Sequence, residues 1–149
     1  MDNDSQLKLF IENLDPDAEM SPEKLNELCT DTDAETVLKI LAQFHLTLVD
    51  SIHKMKLAVE QLDENNIRDN AIDETALEII WKTAHKISGS AELLGFVKYG
   101  QESRQLSYDL KAKTNFIENK QRIMYYINKT KLLEIKIIKS MPTLRDFIV

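Results

Sequence analysis

The sequence predicts an all-α protein, an antiparallel four-helix bundle with one or two short N-terminal helices. Only 3 Gly and 3 Pro occur among 149 residues, which leaves little material for hairpins and tight turns. Four long segments carry apolar side chains at steps of three and four residues, the spacing of a stripe along one face of a helix. Short polar links between such segments favour antiparallel neighbours in a bundle.

Composition narrows the class of protein further. A chain of 149 residues with 43% hydrophobic and 30% charged residues has the size and balance of one globular domain. The formal net charge of -6 argues against nucleic acid as the main partner. The sequence contains no Gly-rich phosphate loop and no His-Glu-x-x-His zinc motif, and we expect neither a cofactor nor a metal.

The single cysteine and the N-terminus bear on the compartment. Cys29 excludes an internal disulfide, and its apolar neighbours Leu25 and Leu28 favour a small core residue over a reactive thiol. Met1 is followed by acidic residues without the apolar run of a secretory signal. No apolar run reaches membrane-spanning length. These features predict a cytoplasmic protein that does not bind a membrane.

Two short elements precede the bundle. Residues 1–20 form a short helix or an arm, because Leu7, Phe10 and Leu14 lie at helical spacing. Ser21 then provides an N-cap and Pro22 a favourable first helical residue for a second short helix, which ends near Cys29.

The first long helix is expected from about Asp33 to Leu62. Its stripe is continuous and consists of Val37, Leu41, Phe44, Leu48, Ile52, Met55, Val59 and Leu62. His45 and His53 lie on the same segment, eight residues apart, which is not the spacing of a helical metal site. We interpret both as surface or boundary histidines.

Three further helices complete the predicted bundle of residues 21–142. A polar loop over residues 63–72 precedes a helix that begins at Asp73 or Thr75 and breaks at Gly95. The next helix extends from Phe96 to about Lys113, where Gly100 either weakens it or allows a close helix approach. After a turn at residues 114–115, the last helix covers residues 117–140 and is ended by Pro142. Residues 143–149 form a tail.

His85 stands out on the helix that follows the polar loop. At about 100° per residue, it lies one step off the buried stripe and should be exposed. Its face is shared by Glu78, Trp81, Lys82, Ser88, Gly89 and Glu92. Free imidazole has a pKa of about 6.5, so near neutral pH much of it carries an unprotonated nitrogen that can attack a phosphoryl donor.

Gly89 lies one turn after His85 on the same face. Glycine inside a helix lowers the stability of the helix by roughly 1 kcal/mol relative to alanine, so we expect a structural or functional reason for its presence. Either a partner approaches the helix closely at this point, or a neighbouring helix of the bundle packs on it. The sequence favours neither explanation.

Other residues of this face, together with Lys86 about 100° to its side, suggest a phosphoryl site and a docking surface. Lys82 and Lys86 could offset the charge of a phosphoryl group, and Ser88 could donate a hydrogen bond to it. Trp81 is either an exposed apolar anchor for a partner or a core residue.

This stretch resembles the signature of the histidine-containing phosphotransfer (HPt) domain. The matching residues are Ala84-His85-Lys86-Ile87-x-Gly89-Ser90-Ala91, followed by Leu94-Gly95. The resemblance implies a four-helix bundle whose exposed histidine relays phosphoryl groups to and from the aspartates of response-regulator receiver domains, without kinase activity of its own. It implies His85 as the phosphoacceptor, Gly89 as the small residue that admits the receiver, and an upstream hybrid sensor kinase. We expect Trp81, Gly89 and Glu92 to belong to the partner-binding face, and a complete bundle favours a monomer.

The sequence departs from the family pattern at Ser88, where the family usually has lysine. Glu92 also adds a negative charge nearby. A non-phosphorylated adaptor of the same fold, which binds a receiver or kinase domain, is therefore the alternative hypothesis. An enzyme with His85 as general base lacks a second catalytic group in the sequence, and a purely structural bundle needs no role for His85.

Overall fold

The computed structural model describes residues 1–69, 74–112 and 116–148, and within them every regular element is helical. The all-α prediction is confirmed, and the helices pack against one another. Six α-helices occur in these ranges: α1 (Asn3–Asn13), α2 (Pro22–Asp31), α3 (Ala34–Asp69), α4 (Glu74–Leu93), α5 (Val97–Lys111) and α6 (Phe116–Ser140). Short 3-10 helices lie at Pro16–Ala18, between α1 and α2, and at Leu144–Phe147, after α6.

The first helices begin at side-chain caps. The side chain of Ser21 accepts a hydrogen bond from the backbone N–H of Lys24 at 3.3 Å, and Pro22 is the first helical residue of α2. The carboxylate of Asp33 accepts from the backbone N–H of Thr36 at 2.7 Å at the start of α3. Because each cap satisfies a donor that the helix leaves unpaired, these residues fix where the helices start.

Contacts between side chains show that two pairs of neighbouring helices in the bundle are antiparallel. In each pair, side chains early in one helix meet side chains late in the other. Along α3 and α6, His45 contacts Glu134 and Asp63 contacts Lys120. Along α4 and α5, Glu92 contacts Arg104, and the ammonium of Lys111 lies over the ring of Trp81.

The two other interfaces, between α5 and α6 and between α3 and α4, are also antiparallel and complete the bundle of four helices. Glu102 and Asp109 of α5 meet Lys129 and Arg122 of α6, respectively. Helices α3 and α4 also pack against each other, and a groove between them is lined by residues 54–61 of α3 and 79–83 of α4. The connectivity is therefore that of an up-down-up-down bundle.

The predicted boundaries need one correction. Helix α3 continues to Asp69, so the prediction of a loop from Asp63 is wrong for residues 63–69. This segment is polar but contains no Gly or Pro, and polar composition alone does not end a helix. The predicted turns at residues 70–72 and 114–115, and a helix start at Asp73, lie outside the described residues.

Both ends of the chain pack on the bundle. Helix α1 contacts α3 and α6 and buries Leu7 and Phe10. Near the C-terminus, Leu144 is fully buried and its 3-10 helix contacts α3. Within the described parts of the chain, no helix is long and apolar enough to cross a lipid bilayer.

Gly95 turns the chain from α4 into α5. Its φ of 94° lies in the left-handed region that side chains rarely adopt, and a Cβ at this position would come within 2.6 Å of the carbonyl oxygen of Ser21. The carbonyl oxygen of Gly95 accepts a hydrogen bond from the N–H of Ser21 at 2.8 Å. The predicted break at Gly95 is therefore confirmed, and it also attaches the start of α2 to the bundle.

Candidate functional site

His85 is an exposed residue on α4, although both flanks of its turn are buried. Ala84 and Ile87 have no exposed surface, while the imidazole of His85 projects from the bundle. Its ring makes no hydrogen bond or ion pair with the residues that the structure describes. The expected exposure is thus found, and the side chain of His85 is open to solvent.

Gly89 is not a packing glycine. It is exposed, and a Cβ built at this position would have no other heavy atom within 4 Å, apart from its chain neighbours and the helix backbone. The explanation that a neighbouring helix packs on Gly89 is therefore wrong. Its cost to the helix is not compensated by any contact within the described part of the bundle.

Helices α4 and α5 approach each other closely at Gly100 instead. A Cβ on Gly100 would lie 2.5 Å from Cγ of Glu92 and 3.1 Å from the carbonyl oxygen of Ser88. The close-approach explanation of Gly100 is the one that holds. Because Gly100 lets α5 come close to α4, the residues of α4 that face it are covered by α5.

Ser88 is one of those residues. Only 2% of its surface is exposed, and its hydroxyl donates to the carbonyl oxygen of His85 at 2.6 Å. The prediction that Ser88 shares the exposed face of His85 and offers a hydrogen bond to a phosphoryl group is wrong. A step of 300° along the helix rotates Ser88 from the exposed face towards α5, where Gly100 admits the neighbouring backbone.

The two predicted lysines lie on the exposed side of α4. Lys82 is exposed, and its Nζ pairs with Oε1 of Glu78 at 2.5 Å, one turn earlier on the same helix. Lys86 is exposed and forms no ion pair with the residues that the structure describes. Of the two, only Lys86 has an ammonium group that no carboxylate of the described residues matches.

Trp81 combines both of its expected roles. Its indole is partly buried against the hydrophobic core, and the ammonium groups of Lys82 and Lys111 lie 5.7 Å and 5.4 Å from a ring centroid. Cation–π contacts of this kind orient an aromatic ring at a protein surface. The partly exposed edge of the indole is therefore held in place one turn before His85.

Helix α5 contributes cations that sequence reasoning missed. Arg104 forms an ion pair with the partly buried Glu92, which offsets the negative charge next to the His85 face. Lys111 lies two turns after Arg104, and Tyr108 between them is 74% exposed. The spacing of these residues at steps of four and three was the signal that could have found them, because it places all three on one face of α5.

The other two histidines differ from His85 and from each other. His45 has no exposed surface, and its Nε2 lies 2.8 Å from Oε1 of Glu134, so its interpretation as a surface or boundary residue is wrong. A polar residue on the inner face of α3 is tolerated because α6 supplies a carboxylate. His53 is exposed, as expected.

No protein-family model, curated protein or solved structure matches this chain. The resemblance to the phosphotransfer domain therefore rests on this sequence itself, and is most specific in the residues around His85.

Proposed function

We propose that the protein is a histidine phosphotransfer protein that acts in the cytoplasm as a monomer. His85 takes a phosphoryl group from the aspartate of one receiver domain, loaded by a hybrid sensor kinase, and passes it to the receiver of a response regulator. The open space over Gly89 carries this proposal. A glycine that no bundle contact requires, one turn from an accessible imidazole, is explained by a protein that must come close to the helix there.

The transfer step needs no group beyond the imidazole and the acyl phosphate of the partner. The unprotonated ring nitrogen of His85 donates its electron pair to phosphorus, and an N–P bond forms. The P–O bond to the aspartyl carboxylate breaks, and the carboxylate leaves with that electron pair. The proton on the other ring nitrogen stays in place, so this step neither takes up nor releases a proton.

The charges around His85 suit a phosphoryl group that is held only briefly. Lys86 offers an unmatched ammonium one residue from His85, while Lys82 is shared with Glu78. Arg104 is engaged by Glu92. A phosphohistidine in this setting receives little charge-assisted hydrogen bonding from the protein itself. The partner therefore has to supply most of the stabilising donors, as a relay intermediate requires.

A direct chemical test separates His85 from the other exposed histidine. The protein is treated with phosphoramidate, a small donor that phosphorylates imidazole, and analysed by intact mass before and after brief acid treatment. We expect an acid-labile phosphoryl group on His85 in the wild type and in His53→Gln, and one fewer such group on His85→Gln than on the wild type. The same three proteins are then incubated with a panel of receiver domains phosphorylated on aspartate, and loss of phosphate from the receivers is followed. Equal transfer to wild type and His85→Gln would overturn the proposal.

The alternative hypothesis of an adaptor that is never phosphorylated is favoured by one observation. The position at which the phosphotransfer signature has lysine is occupied by Ser88, which is buried and bonded to the backbone. An adaptor needs the open surface at Gly89 but not the imidazole. It predicts that Gly89→Arg abolishes receiver binding in a pull-down, that His85→Gln retains it, and that no phosphoryl group transfers to the wild type.

A further inference from the structure

A second candidate site lies on the bundle away from His85, between the Pro16–Ala18 turn, α5 and α6. It is a cavity of about 200 Å³. Its walls are mostly apolar and include Ala18, Tyr99, Leu132 and Leu133, and its basic lining residues are Lys129 and Lys136. An apolar floor with a few polar groups is the usual construction of a small-molecule site.

Tyr99 gives this cavity a fixed wall. Its ring stacks on Tyr126 with centroids 5.6 Å apart and planes within 7°, and its hydroxyl lies 2.6 Å from Oγ1 of Thr130. Burial raises the pKa of Tyr99 well above the ordinary tyrosine value of 10.0, so this wall is uncharged near neutral pH. A wall held by two partners, Tyr126 and Thr130, stays in place when the cavity is filled.

The lysines of the cavity are not equivalent. Nζ of Lys129 is held by both carboxylate oxygens of Glu102, at 2.7 Å and 2.5 Å, and lies 5.9 Å from the ring centroid of Tyr125. Lys136 lies two turns further along the same face of α6 and has no carboxylate partner among the described residues. Asp17 is the one acidic residue among the described lining residues, and because Glu102 already matches Lys129, Lys136 is the ammonium that remains for an anionic ligand.

We propose that this cavity binds a small carboxylate that carries one ring or a short apolar chain. The carboxylate pairs with Lys136, and the apolar part fills the space against Tyr99, Leu132 and Leu133. A cavity of about 150 Å³ holds benzene, so the volume here admits one substituted ring. None of the lining residues lies on α4, and the site is therefore independent of the proposed relay function.

Benzoate is the probe for this proposal, with benzylamine as a probe of similar shape and opposite charge. Binding to the full-length protein is followed by chemical-shift changes in amide spectra, which also locate the site. We expect benzoate to bind with a Kd on the order of 1 mM and to shift the amides of residues 16–18 and 128–136. Benzylamine should bind at least about tenfold more weakly, because the ammonium of Lys136 repels the ammonium of the probe instead of pairing with it.

Matched variants test the two halves of the site. Lys136→Met should weaken benzoate binding about tenfold through loss of the charge-assisted contact, whereas Lys139→Met, an exposed lysine on the same helix, should leave it unchanged. Ala18→Leu should abolish binding by filling the cavity, and thermal unfolding would verify that each variant is folded. His85→Gln should bind benzoate like the wild type.

The proposal is overturned if no binding is seen at a benzoate concentration of about ten times the expected Kd. It is also overturned if benzylamine binds as well as benzoate, or if Lys136→Met binds benzoate as well as the wild type does.

Discussion

The hydroxyl of Ser88 donates a hydrogen bond to the carbonyl oxygen of His85 at 2.6 Å. These two residues are three apart on α4, yet their side chains lie in different environments. The imidazole is exposed to solvent, and the hydroxyl is turned inward beneath α5. A polar side chain can occupy this buried position because the helix backbone itself satisfies it. The bundle thus has no room at Ser88 for the long cation that the phosphotransfer signature carries there.

The first prediction concerns that missing lysine. Ser88→Lys should lower the free energy of unfolding by about 1–3 kcal/mol, because the longer side chain must displace α5 at Gly100 or leave its charge poorly solvated. Urea unfolding followed by circular dichroism measures the loss. Ser90→Lys on the exposed side of the same helix should change stability by no more than about 0.5 kcal/mol. Equal stability of the two variants would contradict the burial of position 88.

The second prediction sets Gly89 against Gly100. Gly89→Ala should stabilise the protein by up to about 1 kcal/mol, because alanine favours the helix and its Cβ meets no neighbour within 4 Å. Gly100→Ala should destabilise it despite the same gain in helix propensity, since the added Cβ would lie 2.5 Å from Cγ of Glu92 and 3.1 Å from the backbone of Ser88. Thermal unfolding of the two variants should show shifts of opposite sign. A destabilised Gly89→Ala protein would mean that position 89 is packed after all.

Helical periodicity predicted most of this fold because burial follows it closely. The stripe from Val37 to Leu62 is buried along α3 apart from Ile52, which is partly buried, and the Ser21 cap begins α2 where the sequence places it. The predicted C-terminal end of α3 was wrong. A polar segment without Gly or Pro gives no signal that distinguishes a solvated helix from a loop.

The candidate site was predicted only in part, because a helical wheel describes one helix at a time. It separates Ala84 from His85 correctly. It cannot tell that α5 covers Ser88 and leaves Gly89 open, or that Arg104 neutralises Glu92. Those facts depend on which neighbour lies on which flank of α4, and pairing between helices is not encoded in the spacing of one of them.

The third prediction uses the buried histidine. Glu134→Ala should cost about 1–3 kcal/mol in unfolding free energy, because Nδ1 of His45 already has no hydrogen-bond partner among the described residues and Nε2 would then lose its own. Glu134→Gln keeps an acceptor oxygen near the imidazole and should cost less. Guanidinium unfolding of the two variants gives the comparison. If the alanine and glutamine variants are equally stable, the carboxylate does not support His45.

The last prediction concerns pH and the two stacked tyrosines between α5 and α6. Burial raises the pKa of both Tyr99 and Tyr126 above 10.0, so the folded protein keeps them neutral while the unfolded chain ionises. Stability should therefore be constant with respect to these groups below about pH 10 and fall as pH rises above it, because the unfolded state then binds fewer protons than the native state. Urea unfolding between about pH 8 and pH 11 should show this loss.

Tyr99→Phe should be less stable at about pH 8 by about 1 kcal/mol, through loss of the contact with Thr130, yet lose less stability on going to alkaline pH. Tyr108→Phe, which alters an exposed tyrosine, should keep the wild-type pH dependence, and an unchanged alkaline slope in Tyr99→Phe would show that Tyr99 ionises in the folded protein as readily as in the unfolded chain.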